Sequence, residues 1–214
     1  MRSTLRRALF ATTVAAAAFG FTATSASATA LATWTVTNPS GTFSASLKAG
    51  TVATLIDTVT SQQVDCSTAT ASGTATSGTY SSGAGLAKIT AATFGSAGAP
   101  CPGPLGSTFT AVLASGSVIS VNANSYSGGV STGTLSGIKV NLTGSTILGT
   151  CNAVITGTAS NVTYTNSTGV LDINNGAGLT VASATNCSGL LNAGDAATFD
   201  ATYKLVTPIT ITSP

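Results

Sequence analysis

Beyond residue 30, apolar and polar residues alternate with period two along most of the chain. In "TWTVT" (33–37), Trp34 and Val36 fall on one side and the threonines on the other. The same alternation runs through "TFSASL", "SVISVN", "GIKVNL", "NAVITG", "NVTYTN", "GLTVAS", "TFDATYKLV" and "ITITS". It predicts strands with one buried face. Thr and Val, stiff at χ1, favour extended chain, and the helix formers Glu, Lys, Arg and Gln are scarce here. Turn residues punctuate the runs at Asn38-Pro39-Ser40-Gly41, Ala49-Gly50, Ser82-Gly83, Ser127-Gly128-Gly129, Asn175-Gly176 and Ala193-Gly194-Asp195. Short strands spaced by roughly 8–12 residues predict an all-β antiparallel sandwich or barrel. Trp34, Phe43, Phe94, Phe109 and Phe199 are its expected large core residues.

A repeat overlies this pattern. Cys66 and Cys101 are 35 positions apart, and Cys151 and Cys187 are 36 apart. Gly73 and Tyr80 recur 84 positions later as Gly157 and Tyr164. "STFTA" (107–111) resembles "ATFDA" (197–201), and "CPG" at Cys101 resembles "CSG" at Cys187. Self-similarity at a nearly fixed offset is the mark of duplication. It predicts a single domain over 31–214 made of two similar halves, about 31–116 and 117–214. Two tandem sandwiches are the alternative. Each half then closes its own bridge, Cys66–Cys101 and Cys151–Cys187. The Ser/Thr/Ala stretch "CSTATASGTATSGTY" (66–80) matches "CNAVITGTASNVTY" (151–164). Cys66 to Gly73 is accordingly expected as strand, and 74–82 as a loop or short edge strand.

The first thirty residues differ in kind. Arg2, Arg6 and Arg7 precede an apolar run from Ala8 to Phe21, then overlapping A-x-A patterns at Ala26–Ala28 and Ala28–Ala30. This is the pattern of a secretory signal peptide, residues 1–30, and Arg6-Arg7 also fits a twin-arginine signal. Without that segment all three arginines are lost. Lys48, Lys88, Lys139 and Lys204 then face Asp57, Asp65, Asp172, Asp195 and Asp200, a balance of −1 against +2 for the full chain. A basic nucleic-acid-binding surface is not expected, nor a transmembrane segment in the mature chain. Four cysteines in an exported chain fit two disulfides. The weakly charged Thr/Ser/Gly surface favours self-association.

Catalytic chemistry has little to work with. After residue 30 there is no His, Glu, Arg or Met. No histidine is available as a base for a Ser or Cys nucleophile, and no ordinary zinc set can be assembled. Of the aspartates, Asp195 and Asp200 are the nearest candidates for a carboxylate pair. A turn position and a solvent-facing strand position account for them better. Asp57 and Asp65 read as turn or edge charges, and Lys88 and Lys139 as outward strand residues. "DINNG" (172–176) approaches a calcium loop, but its glycine is one residue early and Ser183 occupies the twelfth position. An Asn175-Gly176 hairpin turn is the expectation there. Asn141, Asn161, Asn166 and Asn186 head N-x-[ST] sequons. No catalytic residue, cofactor or metal is assigned.

The Ala/Thr/Gly bias, the "RR" start and the segment "F-x-A … C … G … ITAATF … C" resemble small secreted actinobacterial β proteins of unknown function. From Phe43 to Cys151, "TFSAS", Cys66, Gly73 and "AKITAATF" before Cys101 are also similar to extracellular alkane-oxidation activator proteins. That resemblance implies a secreted, non-enzymatic β protein aiding growth on insoluble hydrocarbon. The expected function is therefore binding or interfacial adsorption at or outside the cell surface. Its partner is a surface, a glycan or an apolar ligand. A structural, self-assembling envelope component and a carbohydrate-binding module are the alternatives.

Overall fold

The computed structural model describes residues 33–214, so the predicted signal peptide lies outside the described residues. The chain opens with a short strand, β1 (Trp34–Thr37). β2 (Thr42–Leu47) and β3 (Ala53–Asp57) follow, end to end in one position of a wall. β4 (Gln62–Cys66) and β5 (Ala69–Thr74) share the second position. β6 (Gly78–Tyr80) leaves the wall. β7 (Ala87–Phe94) and β8 (Cys101–Pro102) make the third position, β9 (Thr108–Leu113) and β10 (Ile119–Ser127) the fourth. β11 (Val130–Thr146), β12 (Gly149–Thr165), β13 (Val170–Thr185) and β14 (Ala196–Leu205) fill the remaining four singly. β15 (Thr210–Thr212) ends the chain.

Neighbouring positions pair antiparallel in chain order, and β14 returns to pair β2 and β3, so the wall closes as an eight-stranded up-and-down barrel. Residues on both sides of the 116/117 midpoint build one wall, and the described residues, 33–214, fall in one compact unit. Most repeat marks fall four positions apart; Tyr80 and Tyr164 do not correspond, since Tyr80 lies in β6, off the wall, and Tyr164 in β12. Cys66 and Cys151 lie in the second and sixth, and Cys101 and Cys187 at the ends of the third and seventh. The Thr-Phe pairs Thr108-Phe109 and Thr198-Phe199 lie in the fourth and eighth. Both expected bridges form, Cys66–Cys101 and Cys151–Cys187.

Two expectations change. The strands of the second half are longer than the spacing predicted, at 17, 17 and 16 residues for β11 to β13. Asn175-Gly176 is not a hairpin turn but a register shift inside β13, with Asn175 at φ 47°. Glycine and asparagine here serve as bulges that bend long strands around a narrow barrel, where an open sheet would have used them to turn. The Cys66–Tyr80 stretch is strand in two pieces, β5 and β6, broken after Cys66 at Ser67-Thr68.

One end of the barrel is plugged by the small antiparallel sheet β15-β1-β6. Trp34, Val36, Ile209 and Ile211 are buried there. Two side chains pin β15 as a neighbouring strand would. The Tyr164 hydroxyl accepts from Ile209 N at 3.0 Å and donates to its carbonyl at 2.8 Å. Asn166 donates to the Ile211 carbonyl at 2.8 Å and accepts from its N–H at 3.0 Å. Sequon Asn166 thus has a structural task. At the opposite end lie both disulfides. There no ladder joins β4 to β8, and the Cys66–Cys101 bridge spans that seam.

The seam end is organised around Phe109. It pairs Cys101 on one side and Gly144 on the other, and Gly144 in turn pairs Cys151. A Cβ on Gly144 would overlap the Phe109 ring and the Thr108 carbonyl. Gly144→Ala is expected to lower unfolding stability by about 2–3 kcal/mol through overpacking. Gly98→Ala, where a Cβ meets nothing within 4 Å, is expected to change it by less than about 0.5 kcal/mol. Urea unfolding of both variants checks this. The bridges close loops of 35 and 36 residues, so chain entropy predicts equal losses of about 3–4 kcal/mol on removal. Because only Cys66–Cys101 spans an unpaired seam, Cys66→Ala/Cys101→Ala is expected to lose more than Cys151→Ala/Cys187→Ala in the same assay.

Candidate functional site

The alternation that built the wall sends one set of side chains inward. On β14, Ala197, Phe199, Ala201, Tyr203 and Leu205 alternate with outward Thr198, Asp200, Thr202 and Lys204. The lumen this produces is lined by Ala, Val, Leu, Ile, Phe, the Cys66 and Cys101 sulfurs and Tyr203, with Thr110 the one other polar residue on its wall. The reverse pattern, apolar outward and polar inward, characterises barrels that cross membranes. Among the described residues no helix is long and apolar enough to cross a membrane.

An eight-stranded barrel is just wide enough for side chains to fill it or to hold one small ligand. Here the filling is incomplete. Three inward rings each face a glycine across the ladder: Phe43 opposite Gly73, Phe109 opposite Gly144, and Phe199 opposite Gly176. The Phe109 ring lies over the bare backbone of Gly144, a recognised way of stabilising glycine in a sheet. Six alanines, Ala45, Ala53, Ala71, Ala92, Ala111 and Ala159, contribute little bulk between the rings. Phe94 and Phe199 meet edge to face at 5.5 Å between centroids. Of the five expected core aromatics, Trp34 and Phe109 are buried, while Phe43, Phe94 and Phe199 are half-buried on the lumen wall. About 110 Å³ of the lumen stays empty. That is close to the volume of an engineered apolar cavity, about 150 Å³, that stays dry and takes up benzene or xenon.

Tyr203 is the exception within this wall. It is 4% exposed, and its hydroxyl has no hydrogen-bond partner among the described residues. Burial pushes its phenol far above the usual range, and burial also raises Tyr164, against the opposing hydrogen bond from Ile209. Only apolar atoms of the wall, the Tyr203 ring among them, face the empty space, so a guest molecule would meet no hydrogen-bonding group there.

The aspartates weighed as a carboxylate pair are each engaged separately. Asp195 accepts from Asn192 Nδ2 at 2.9 Å, and Asp200 from the Asn175 N–H. Asp172 accepts from Thr202 Oγ1 at 2.6 Å, and Asp65 from Thr54 Oγ1 at 2.7 Å. Asp57 departs from its expected place as a turn or edge charge, being fully buried. Its Oδ1 accepts from the Val59 and Thr60 N–H groups at 2.9 Å and fixes the β3–β4 turn, while its Oδ2 has no partner. The D-x-x-T spacing of an Asx turn was the available signal. Lys88 and Lys139 are exposed on the outer wall. No three His, Cys, Asp or Glu residues among the described ones are grouped to hold a metal ion. A shallow polar groove of about 670 Å³ crosses the outside of β10 to β13, where Asn124, Thr132, Asn161, Asp172 and Asn174 line it.

No protein-family model, curated protein or solved structure matches this chain. The motifs behind the resemblance noted above fall in β2, in β7 and on the two cysteines of the seam bridge.

The buried phenols give a pH signature. An unfolded tyrosine releases its proton near pH 10, and the folded Tyr203 holds it to higher pH, so above about pH 10 the unfolded state binds fewer protons. Stability from this group is complete below about pH 10 and is lost as pH rises beyond it. Urea unfolding between pH 8 and pH 11.5 is expected to show a fall above about pH 10 that Tyr203→Phe reduces.

Proposed function

We propose that this protein is an exported, non-catalytic β-barrel that binds a small apolar molecule in its lumen. One observation carries the reading: a closed wall encloses unfilled space to which only apolar atoms are exposed, those of Thr110 and Tyr203 included. Apolar surface withdrawn from water supplies the affinity, at about 25 cal/mol per Å². The wall supplies selection by exposing no polar group: a pure hydrocarbon loses nothing on entry, whereas an oxygen-bearing guest gives up hydrogen bonds to water without replacement. The pairing of disulfides with a chain almost without charge fits a protein working outside the cytoplasm.

The outer polar groove favours a second reading, a carbohydrate-binding module, since Asn, Asp and Thr side chains there offer hydrogen bonds to sugar hydroxyls. It carries no aromatic ring to stack on a sugar, which ranks it below the lumen.

Calorimetry and methyl-region NMR with benzene, octane and 1-octanol test the lumen. Binding is expected for the wild type and is expected to fall at least about tenfold in Ala71→Leu/Ala92→Leu, which fills the space, with folding retained. Octane is expected to bind more tightly than 1-octanol, whose hydroxyl finds no partner on the wall. Failure of all three probes to bind, with retention on cellulose or chitin lost on Asp172→Ala, would favour the glycan reading instead.

A further inference from the structure

The two ends of the barrel use opposite turn chemistry. At the plugged end the turns are Asn38-Pro39-Ser40-Gly41, Gly128-Gly129 and Asn166-Ser167-Thr168-Gly169, residues that suit turns and tolerate water. At the disulfide end, three of the four connections carry aliphatic tips. Val59 in the β3–β4 turn is 66% exposed, and Leu105 in the 3-10 turn between β8 and β9 is 74% exposed. Ile147 and Leu148, the whole β11–β12 turn, are 75% and 65% exposed. Leu105 also adopts φ 55°, a left-handed conformation that glycine or asparagine takes far more readily. In the β11–β12 turn the positive φ, 109°, falls on Gly149, so Ile147 and Leu148 are disfavoured by exposure rather than by backbone strain. Exposure favours none of these residues, and backbone geometry further disfavours Leu105, so burial in the barrel does not account for them.

The remaining exposed aliphatics are dispersed: Val52 and Val118 sit in lateral excursions, Val112 on the outer face of β9, and Val206 alone near the plugged end. Ladder register brings two of the tips together, since Thr108, which follows the Leu105 turn, pairs Ser145, which precedes Ile147. The fourth connection at this end, 186–195, adds no exposed aliphatic tip; Leu190 and Leu191 within it are buried.

We infer that the disulfide end is an adsorption surface that inserts its Val59, Leu105 and Ile147-Leu148 tips into an apolar liquid surface in water, such as an oil droplet. Three separate projections at one end match a continuous phase, which can receive all of them together; a helix or strand from a partner would need a groove. Their chemistry selects a bare apolar surface over a phospholipid bilayer. The tips carry no Trp or Tyr to sit among headgroups and no Lys or Arg to meet anionic lipid. The bridges beside them hold the bases of these turns in place, so the tips meet the surface with little ordering to be done. This inference stands on the turns and is independent of the lumen.

Pendant-drop tensiometry and flotation on triolein droplets test it. The full chain as exported is expected to adsorb and to lower interfacial tension. The variant Val59→Ser/Leu105→Asn/Ile147→Asn/Leu148→Gly is expected to need at least about tenfold more protein for the same effect, with an unchanged or higher melting temperature. Val112→Thr/Val206→Ser, which removes side chains 47% and 76% exposed elsewhere, is expected to adsorb as the wild type does. Should the fourfold variant fail to fold, Leu105→Asn and Leu148→Asn singly are each expected to show a partial loss. Equal loss in the control, no loss in the tip variants, or binding to phosphatidylcholine vesicles in preference to triolein would overturn the inference. A dimer in sedimentation that the tip variants dissolve would also overturn it, assigning the tips to a second copy of this chain. Retained adsorption in Ala71→Leu/Ala92→Leu separates this surface from the lumen.

Discussion

Closure of the wall is the constraint on which everything else in this barrel depends. A four-strand meander left open would present two unpaired edges and one apolar face to water. Each half of this chain is such a meander, and neither can close alone. Hydrogen bonds join the first four wall positions to the last four where β14 meets β2 and β3 and where β9 and β10 meet β11, and β15 adds a further link by pairing β1 in the plug. The first half is the weaker part, because each of its four positions is assembled from two short strands with an excursion or kink between them. Its one unladdered seam, between β4 and β8, coincides with a disulfide. A covalent bond stands there in place of hydrogen bonds, and its sulfurs form part of the lumen lining.

Closure at eight positions then sets the interior. The radius is fixed by strand number and tilt, so the choice of inward residues decides whether the lumen is solid or hollow. Large rings opposite glycines and alanines in between leave it partly hollow, where a core of Leu and Ile would have packed it to crystal density. A void of this kind forfeits contacts along its whole lining. The chain tolerates that loss where two disulfides and a plug sheet supply stability from the ends.

Much of this was legible in the residues because period-two alternation and cysteine spacing are local and survive any packing. Trp34 and Val36 on one face, the within-half bridges and the marks four positions apart all follow from counting. What counting missed was the role of punctuation. Asn175-Gly176 is a hairpin signal in an isolated sheet and a bulge in a tightly curved one, and only the curvature distinguishes the two. The excursion at 48–52 lay equally hidden, because strand pieces in line and strand pieces side by side share the same alternation. Asp57 shows the limit at single-residue scale: a turn aspartate is ordinarily exposed, and its burial follows from 186–195 folding over the β3–β4 turn, where Thr60 Oγ1 reaches the Leu190 carbonyl.

The asymmetry of the two ends follows from connectivity. β1, β6 and β15 all emerge from the same end, where β2 begins, β5 finishes and β14 finishes, so a plug sheet could form only there. Tyr164 and Asn166 secure it with side chains acting as backbone. Nothing comparable is available at the other end, whose four connections are short turns and one loop. That end must be held by bonds that need no extra strand, and disulfides meet the requirement. They also leave the turns beyond them free of any packing duty. An aliphatic side chain on such a turn, as at Leu105 or Ile147, is left largely in water, where a core position would have buried it.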